Sequence, residues 1–286
     1  MSVKELKFSG GRRLHQTAAS EEPAGPLVTV VTAVFNGVGT IKGCIESVLR
    51  QDYSHIEHVI IDGGSTDGTV EVLREYEDRI GLWRSEPDRG IYDAWNKALR
   101  EARGEWLCFL GADDEFLPGA VTAYMALAAK NPQAEYLSSK LKVVHPSGYV
   151  RIMGSPWKWS KFSKSMCTHH VGSMHRRSLF ERLGTYDTSY RIVADYELLL
   201  RAKGQLNAAY MPTITAVMRA GGASSGRQCL QETARAKVET GGRSKVLAAV
   251  ELRIANAKYL LRPLRSAVGG ILARRSKSRP THTLKF

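Results

Sequence analysis

The sequence has little cysteine, no apolar stretch long enough to span a bilayer and few acids in its last fifth, and each shortage excludes something. Its four cysteines (Cys44, Cys108, Cys167, Cys229) form no CxxC pair and no dense framework. A disulfide scaffold and a cysteine-rich zinc site are thereby excluded, and buried free thiols are expected. The long uncharged run from Leu27 to Ile41 is broken by Asn36, Gly37 and Gly39, so no segment of about 20 apolar residues is available to span a bilayer. No apolar h-region follows Arg12 and Arg13. The N-terminus therefore does not read as a secretory signal, and a cytoplasmic chain is expected. The 286 residues carry 41 Lys and Arg against 28 Asp and Glu, a net charge of +13. With 43% hydrophobic and 8% aromatic residues this is not a disordered basic protein. The excess is local: residues 226–286 hold 14 basic and 3 acidic side chains, whereas residues 1–225 hold 27 and 25. A basic surface is expected mainly in the C-terminal tail.

What is present reads as alternating strands and helices. Beyond a polar N-terminus over 1–26, expected to be flexible, Leu27 to Phe35 is a β-branched run without alternation, the pattern of a strand buried on both faces of a parallel sheet. Apolar residues at helical spacing follow from Ile41 to Leu49, then the short run His58 to Ile61. This is a βαβ unit. A helix from Val70, a strand over Ile80 to Trp83, a helix over Tyr92 to Ala102 and a strand over Trp106 to Leu110 continue the alternation, which predicts a doubly wound sheet. Beyond Leu137 a hairpin is expected around His145 to Gly148, then helices near Ser178 to Leu183 and Ala194 to Ala202, and basic helical segments from 225 to the end. There is no internal repeat.

Ligands of such sheets sit beyond the carboxyl ends of the strands, and acids recur there: Asp62, then Glu86 and Asp88, then Asp113 and Asp114. Gly37, Gly39 and Gly43 after the first strand raise a nicotinamide-binding reading, although the spacing G-x-G-x-x-x-G departs from the fingerprint; Asp62 would contact ribose or base under either nucleotide reading. Asp113 and Asp114 repel each other unless a cation intervenes, and hard oxygen ligands suit Mg2+ or Mn2+. The plainer alternative is that Asp114 or Glu115 caps the helix beginning near Pro118. His169, His170 and His175 have no recognised zinc spacing and read as hydrogen-bonded histidines, one of them near a sugar. Asp195 opens an apolar helical segment, where it either caps the helix or serves as a general base.

Five ordered motifs, TVVTAVFNG, IIDGGSTDGT, SEPDRGIYDAWNKAL, FLGADD and RRSLFERLGTYDTSYRIVADYELLLR, give the span from Leu27 to Met218 a specific character. It resembles the family 2 inverting glycosyltransferases, particularly their bacterial O-antigen and capsule branch. The resemblance implies a GT-A fold, a Rossmann-like α/β architecture with a mostly parallel central sheet over 27–224, followed by a basic helical extension over 225–286. It implies a pocket for the base and ribose of a nucleotide diphosphate sugar, most readily a UDP-sugar, at Thr32, Ala33, Phe35 and Asp62. Asp88, Arg89, Gly90, Asn96 and Asp113 would face the donor, and Asp113 and Asp114 would hold Mg2+ or Mn2+. Asp195 would be the catalytic base, with His169 and His170 near acceptor or sugar. The sequence departs from the family pattern at Gly111, where an Asp often stands, and at Ala33, His170 and Ala194. An NAD-dependent enzyme and a noncatalytic basic binding protein are the alternatives.

In the tail, Leu247, Val250, Ile254, Ala257 and Leu261 fall on one helical face with Arg253, Lys258, Arg262 and Arg265 around it, and Arg274, Arg275, Lys277 and Arg279 follow. No aromatic platform accompanies them, so nucleic acid is not expected. Residues 243–286 read instead as meeting an anionic membrane surface on the inner face of the plasma membrane, or docking on the protein's own domain. A saccharide or lipid-linked saccharide acceptor fits that placement.

Overall fold

The computed structural model describes residues 7–14, 25–221 and 226–261. Its centre is built from β2 (Val28–Val34), β3 (Ile56–Asp62), β4 (Leu82–Ser85) and β5 (Trp106–Phe109), which pair in parallel in the order β4-β3-β2-β5. Within this block β2 and β3 stay in register from Val28 opposite Ile56 to Val34 opposite Asp62. Both faces of the strands are covered, which is why β2 reads as a continuous apolar run. Val28, Val30 and Val34 enter one core and Val31 the other, each at most 4% exposed. The first core is closed by α1 (Ile41–Leu49), α2 (Thr69–Glu75) and α4 (Ala120–Lys130), the second by α3 (Ile91–Glu101), α6 (Arg177–Leu183) and α7 (Ala194–Arg201). Burying one such aliphatic side chain contributes about 1.5 to 3 kcal/mol, so this two-sided packing fixes which strand edge can carry loops.

The second half extends the sheet with mixed polarity. Here β9 (Ser173–Arg176) pairs antiparallel with β5 and with β7 (Tyr136–Val144), and β7 pairs in parallel with β10 (Ala208–Arg219). The short β6 (Glu115–Phe116) lies antiparallel to β10, and β8 (Val150–Met153) closes the expected hairpin on β7. A four-residue helix, α5 (Trp159–Phe162), fills the irregular stretch between β8 and β9. The sequence concealed β9 and β10. His175, with no exposure at all, occupies the middle of β9, and β10 contains Pro212 and shifts register twice against β7.

Residues 7–14 depart from the expectation of a flexible N-terminus. β1 (Phe8–Gly10) pairs antiparallel with β4, and the 3-10 turn Arg12–Leu14 follows it. Arg13 Nη2 lies 2.8 Å from Glu101 Oε2, and the Arg12 amide donates to the Ile80 carbonyl. An edge strand and a shared ion pair anchor this segment. At the other end α8 (Arg227–Glu239) packs on α7, and α9 (Lys245–Leu260) packs on α8. No helix among the described residues is long and apolar enough to cross a membrane. No disulfide joins the cysteines, and Cys44 and Cys108 are buried thiols.

Candidate active site

Because β2, β3, β4 and β5 run in parallel, the loops that follow them share one edge. The β2 and β3 loops are laced together by side chains. Asn36, at φ 49, donates its amide to Ser65 Oγ and accepts from the Thr66 amide; the Gly37 amide reaches Thr69 Oγ1 and the Val38 amide reaches Asp67 Oδ2. Asp67 also accepts from the amide and hydroxyl of Thr69 at the start of α2, and these bonds, the hydroxyl's first, hold its carboxyl below the usual range. These amides are the ones a dinucleotide fingerprint would turn toward a pyrophosphate. They are already occupied, which speaks against the nicotinamide reading.

The expected pocket residues divide into a wall and a supporting layer behind it. Phe35 is 66% exposed at the end of β2, beside half-buried Ala33. Opposite lies Gly63, where an added Cβ would come within 2.6 Å of Asp88 Oδ2 and 3.3 Å of the Phe35 ring. Ring, backbone and carboxylate therefore meet at one point. Asp88 is half-buried, its Oδ1 accepts the Gly90 amide, and burial raises its pKa. Arg89 and Gly90 are exposed on the same loop, with the Arg89 amide donating to Asp93. Thr32 and Asp62 sit behind. Thr32 has no exposure, and its hydroxyl is 3.0 Å from His58 Nε2. Asp62, equally buried, accepts from the Gly64 and Ser65 amides and from the hydroxyls of Ser65 and Ser85. Four donors saturate a carboxylate. Direct contact with base or ribose does not fit either residue; both shape the loops that make the wall.

Beyond β5, Asp113 is exposed while Asp114 is 5% exposed. A Cβ on Gly111 would lie 2.6 Å from Asp114 Oδ2 and 3.1 Å from Asp113 Oδ1, so both carboxylates turn over the space that this glycine leaves open. That is a physical reason for Gly111: a side chain there would collide with the acids it accompanies. Asp114 Oδ1 accepts the Arg219 amide, and the Arg219 guanidinium reaches the Asp113 carbonyl and Glu115. Burial, with a smaller contribution from the charge of Asp113, raises the Asp114 pKa to about 7. No cluster of three or more His, Cys, Asp or Glu that could hold a metal occurs among the described residues. Two oxygen donors on one loop, one of them poorly solvated, still fit a hard divalent cation that takes one or two protein carboxylates and completes its shell with phosphate oxygens and water. A cap role for Asp114 is not seen, since α4 begins at Ala120 with Gly119 as its cap.

Asp195 lies in the first turn of α7, half-buried, and its Oδ1 accepts the Tyr92 hydroxyl at 3.0 Å. Burial raises its pKa to about 6. Tyr92 is the second residue of α3, the helix entered from the Asp88-Arg89-Gly90 loop, so Asp195 and that loop are joined through one helix. Asn96 does not face this cleft. Its Nδ2 donates to the Tyr186 carbonyl and its Oδ1 accepts the Tyr186 amide, at 2.8 and 3.0 Å, clamping the segment before α7 to α3. His170 is 8% exposed, stacked 4.6 Å from Trp95, with Nε2 3.1 Å from Tyr186 Oη. It supports the aromatic packing rather than reaching a ligand directly. His169 is half-buried beside it, its pKa lowered by burial and then by the charge of Arg151.

Sequence reasoning missed Tyr92, Asp67 and Tyr186. Asp67 was legible as an Asx turn in Ser-Thr-Asp-Gly-Thr; the two tyrosines carried no local signal, because their partners are about 90 or more residues away. A groove lies elsewhere, between α8 and α9, lined among others by Leu230, Ala248, Leu252, Ile254 and Lys258.

With this geometry in hand, comparisons with known proteins give a consistent answer. The model of a family described as glycosyl transferase family 2 matches residues 29–184. An uncharacterized glycosyltransferase of Mycobacterium tuberculosis is 36% identical over 184 residues, covering 63% of this chain and 70% of the relative. A PGL/p-HBAD biosynthesis glycosyltransferase of Mycobacterium bovis is 29% identical over 189 residues, covering 62% and 70%. Among solved structures, Staphylococcus aureus TarS 1-349 in complex with UDP-GlcNAc aligns with a TM-score of 0.60 at 17% identity, over 82% of this chain and 72% of that one. The mannosyltransferase PcManGT from Pyrobaculum calidifontis, in complex with GDP-Man and Mn2+, aligns at 0.61 and 22%, over 94% and 81%. Such identities speak for the fold, which is of the GT-A type.

The Asn96 clamp yields a stability prediction. Asn96→Ala leaves the Tyr186 amide and carbonyl buried and unpaired, and a loss of about 1 to 3 kcal/mol in urea unfolding is expected. An unchanged midpoint would mean that the loop before α7 is held by other contacts.

Proposed function

Because this chain belongs to glycosyl transferase family 2, we propose that it moves a sugar from a nucleotide diphosphate sugar to an acceptor hydroxyl with inversion at the anomeric carbon. The observation that supports this reading is that the Tyr92 hydroxyl ties Asp195, a carboxylate whose pKa burial raises, to α3, the helix entered from the Asp88-Arg89-Gly90 loop, and that Asp88 in turn meets Gly63. Phe35 offers its exposed ring to the base, and Asp88, Arg89 and Gly90 border the donor. Asp113 and Asp114 would hold Mg2+ or Mn2+, which when bound compensates charge on the diphosphate. UDP is the favoured carrier, as the TarS complex holds UDP-GlcNAc, and GDP the alternative, as PcManGT holds GDP-Man.

In the chemical step the acceptor oxygen gives its proton to the Asp195 carboxylate and forms a bond to the anomeric carbon. The bond from that carbon to the diphosphate oxygen breaks, and its electron pair leaves with the nucleoside diphosphate. Attack and departure on opposite faces invert the configuration. A carboxylate with pKa about 6 is a better base than an ordinary Asp and remains ionised at neutral pH.

The relative named for PGL/p-HBAD biosynthesis supports a saccharide or lipid-linked saccharide acceptor in the assembly of a bacterial surface glycan. The exposed side of α9 supports a membrane-peripheral placement. Its inward face is Ala248 with half-buried Glu251, Leu252 and Ala255, whereas Leu247, Val250, Ile254 and Leu261 remain 46 to 51% exposed. Arg253 and Lys258 flank them, also exposed. An apolar stripe with cationic edges matches the anionic cytoplasmic leaflet. Arg262, Arg265, Arg274, Arg275, Lys277 and Arg279 lie outside the described residues.

Three measurements test these statements. Asp195→Asn should lose transfer while still being thermally stabilised by donor, and wild-type kcat/KM should fall as pH drops through about 6, where the base becomes protonated; full turnover by the variant removes the base assignment. UDP or GDP should stabilise the protein only with Mn2+ or Mg2+, by about 2.7 kcal/mol at roughly 100 times Kd, and chelator or Asp113→Ala should abolish this while NAD has no effect. Chelator-insensitive nucleotide stabilisation would contradict the metal assignment. Flotation with vesicles containing anionic lipid should recover the full chain and lose it when Leu247, Val250 and Ile254 are changed to Ser; equal recovery counts against membrane contact.

A further inference from the structure

The carboxylate of Asp195 is not left to orient itself. The Tyr92 hydroxyl donates to Oδ1 at 3.0 Å, and the Tyr92 side chain is only 4% exposed. Its ring is fixed on two sides, with centroids 5.2 Å from Trp95 and 5.6 Å from Tyr186. Tyr186 is in turn held by the Asn96 clamp and by His170. Tyr92, Trp95 and Asn96 stand at i, i+3 and i+4 on α3, so one face of one helix determines where the segment before α7 lies. The opposite end of the same turn is the donor loop: Gly90, at φ 118, caps α3 two residues before Tyr92, and its amide donates to Asp88 Oδ1.

We propose that Tyr92 is a positioning residue for the transfer reaction: its hydroxyl fixes one oxygen of Asp195, orienting the remaining lone pairs for the acceptor, and ties that orientation to the donor loop. The inference rests on the reading of Asp195 as base. The phenol suits the task because it stays a donor across the working range. Burial, followed by the charge of Asp195, raises the Tyr92 pKa well above its ordinary value. The other ionisable groups whose charge couples to Asp195 are Tyr186, in the segment before α7, and Tyr136, from β7, both raised by burial and therefore neutral. His170, packed against Tyr186, is pushed well below its usual range by burial. Glu197, two residues along α7, is turned away and paired with Arg201. Of Asp195, the three tyrosines and His170, only Asp195 changes charge near neutral pH.

Donation from Tyr92 favours the ionised form of Asp195, so its removal raises the carboxyl pKa further and moves the acid limb of the rate profile to higher pH. For Tyr92→Phe we expect donor KM within about twofold of wild type, kcat at pH 7 lower by about 10²-fold from loss of orientation, and the acid limb displaced upward by about one pH unit. Incorporating 3-fluorotyrosine at position 92 strengthens the donor without changing the packing and should move the limb downward. A merely structural role would move the urea midpoint but not the limb. A Tyr92→Phe profile that overlies wild type, or a loss confined to donor KM, overturns the proposal, as does a limb that does not respond to fluorotyrosine. Asp195→Asn, assayed alongside, separates the two readings. If it retains turnover, the base assignment has failed; if it is inactive while Tyr92→Phe behaves as wild type, only the positioning role has failed.

Discussion

Parallel strands cannot be joined by tight turns, and that constraint organises everything else in this protein. Each of β2, β3 and β4 must send its chain back through a helix or long crossover, so their carboxyl ends open on one edge and the linking loops crowd there. Crowded loops expose backbone amides that need partners. Here Asp62, Asp67, Asn36, Ser65 and Thr69 supply them, turning what could have been a mobile rim into a fixed surface on which Phe35, Gly63 and Asp88 come together.

Seen this way, the aspartates that recur after the strands are not one class. Asp62 is saturated by four local donors and Asp67 engaged by three, and both build the loops. Asp88, Asp113 and Asp195 keep capacity for a ligand, and Asp114 stands between, one oxygen engaged by the Arg219 amide and the other turned over Gly111. The distinction follows from hydrogen-bond supply rather than from position in the motif, since Asp62 and Asp88 both end a strand or follow one closely.

The parallel half of the fold was legible because its signals are local. The β-branched run of β2 and the helical spacing of Ile41 to Leu49 each name an element without reference to anything distant. The acids at the strand ends were legible for the same reason. What was not legible depends on partners far along the chain. The Thr32 hydroxyl is turned inward by His58, Asn96 is drawn to Tyr186 across 90 residues, and β10 is a strand only because β7 lies beside it despite Pro212. The helical extension shows the same limit. Read as a basic appendage, it also closes the region around α7: Glu232 on α8 accepts the amides of Arg191 and Ile192, and Thr240 donates to Glu197 on α7.

The setting of Asp195 explains why its pKa moves as it does. Residues 136–180, which supply β7 to β9 and half of α6, contain no Asp or Glu at all. Burial raises the Asp195 pKa and hydrogen bonds oppose it, with no carboxylate charge among the influences from the described residues. Asp114, by contrast, is raised by burial and also by its neighbour Asp113. Two carboxylates that interacted strongly would titrate as a pair, and filling one site with a cation would pull the other's pKa down. The Asp195 carboxyl thus takes its proton affinity from its own burial, opposed by the Tyr92 hydroxyl and by backbone donors, while the Asp114 carboxyl also feels the charge of Asp113.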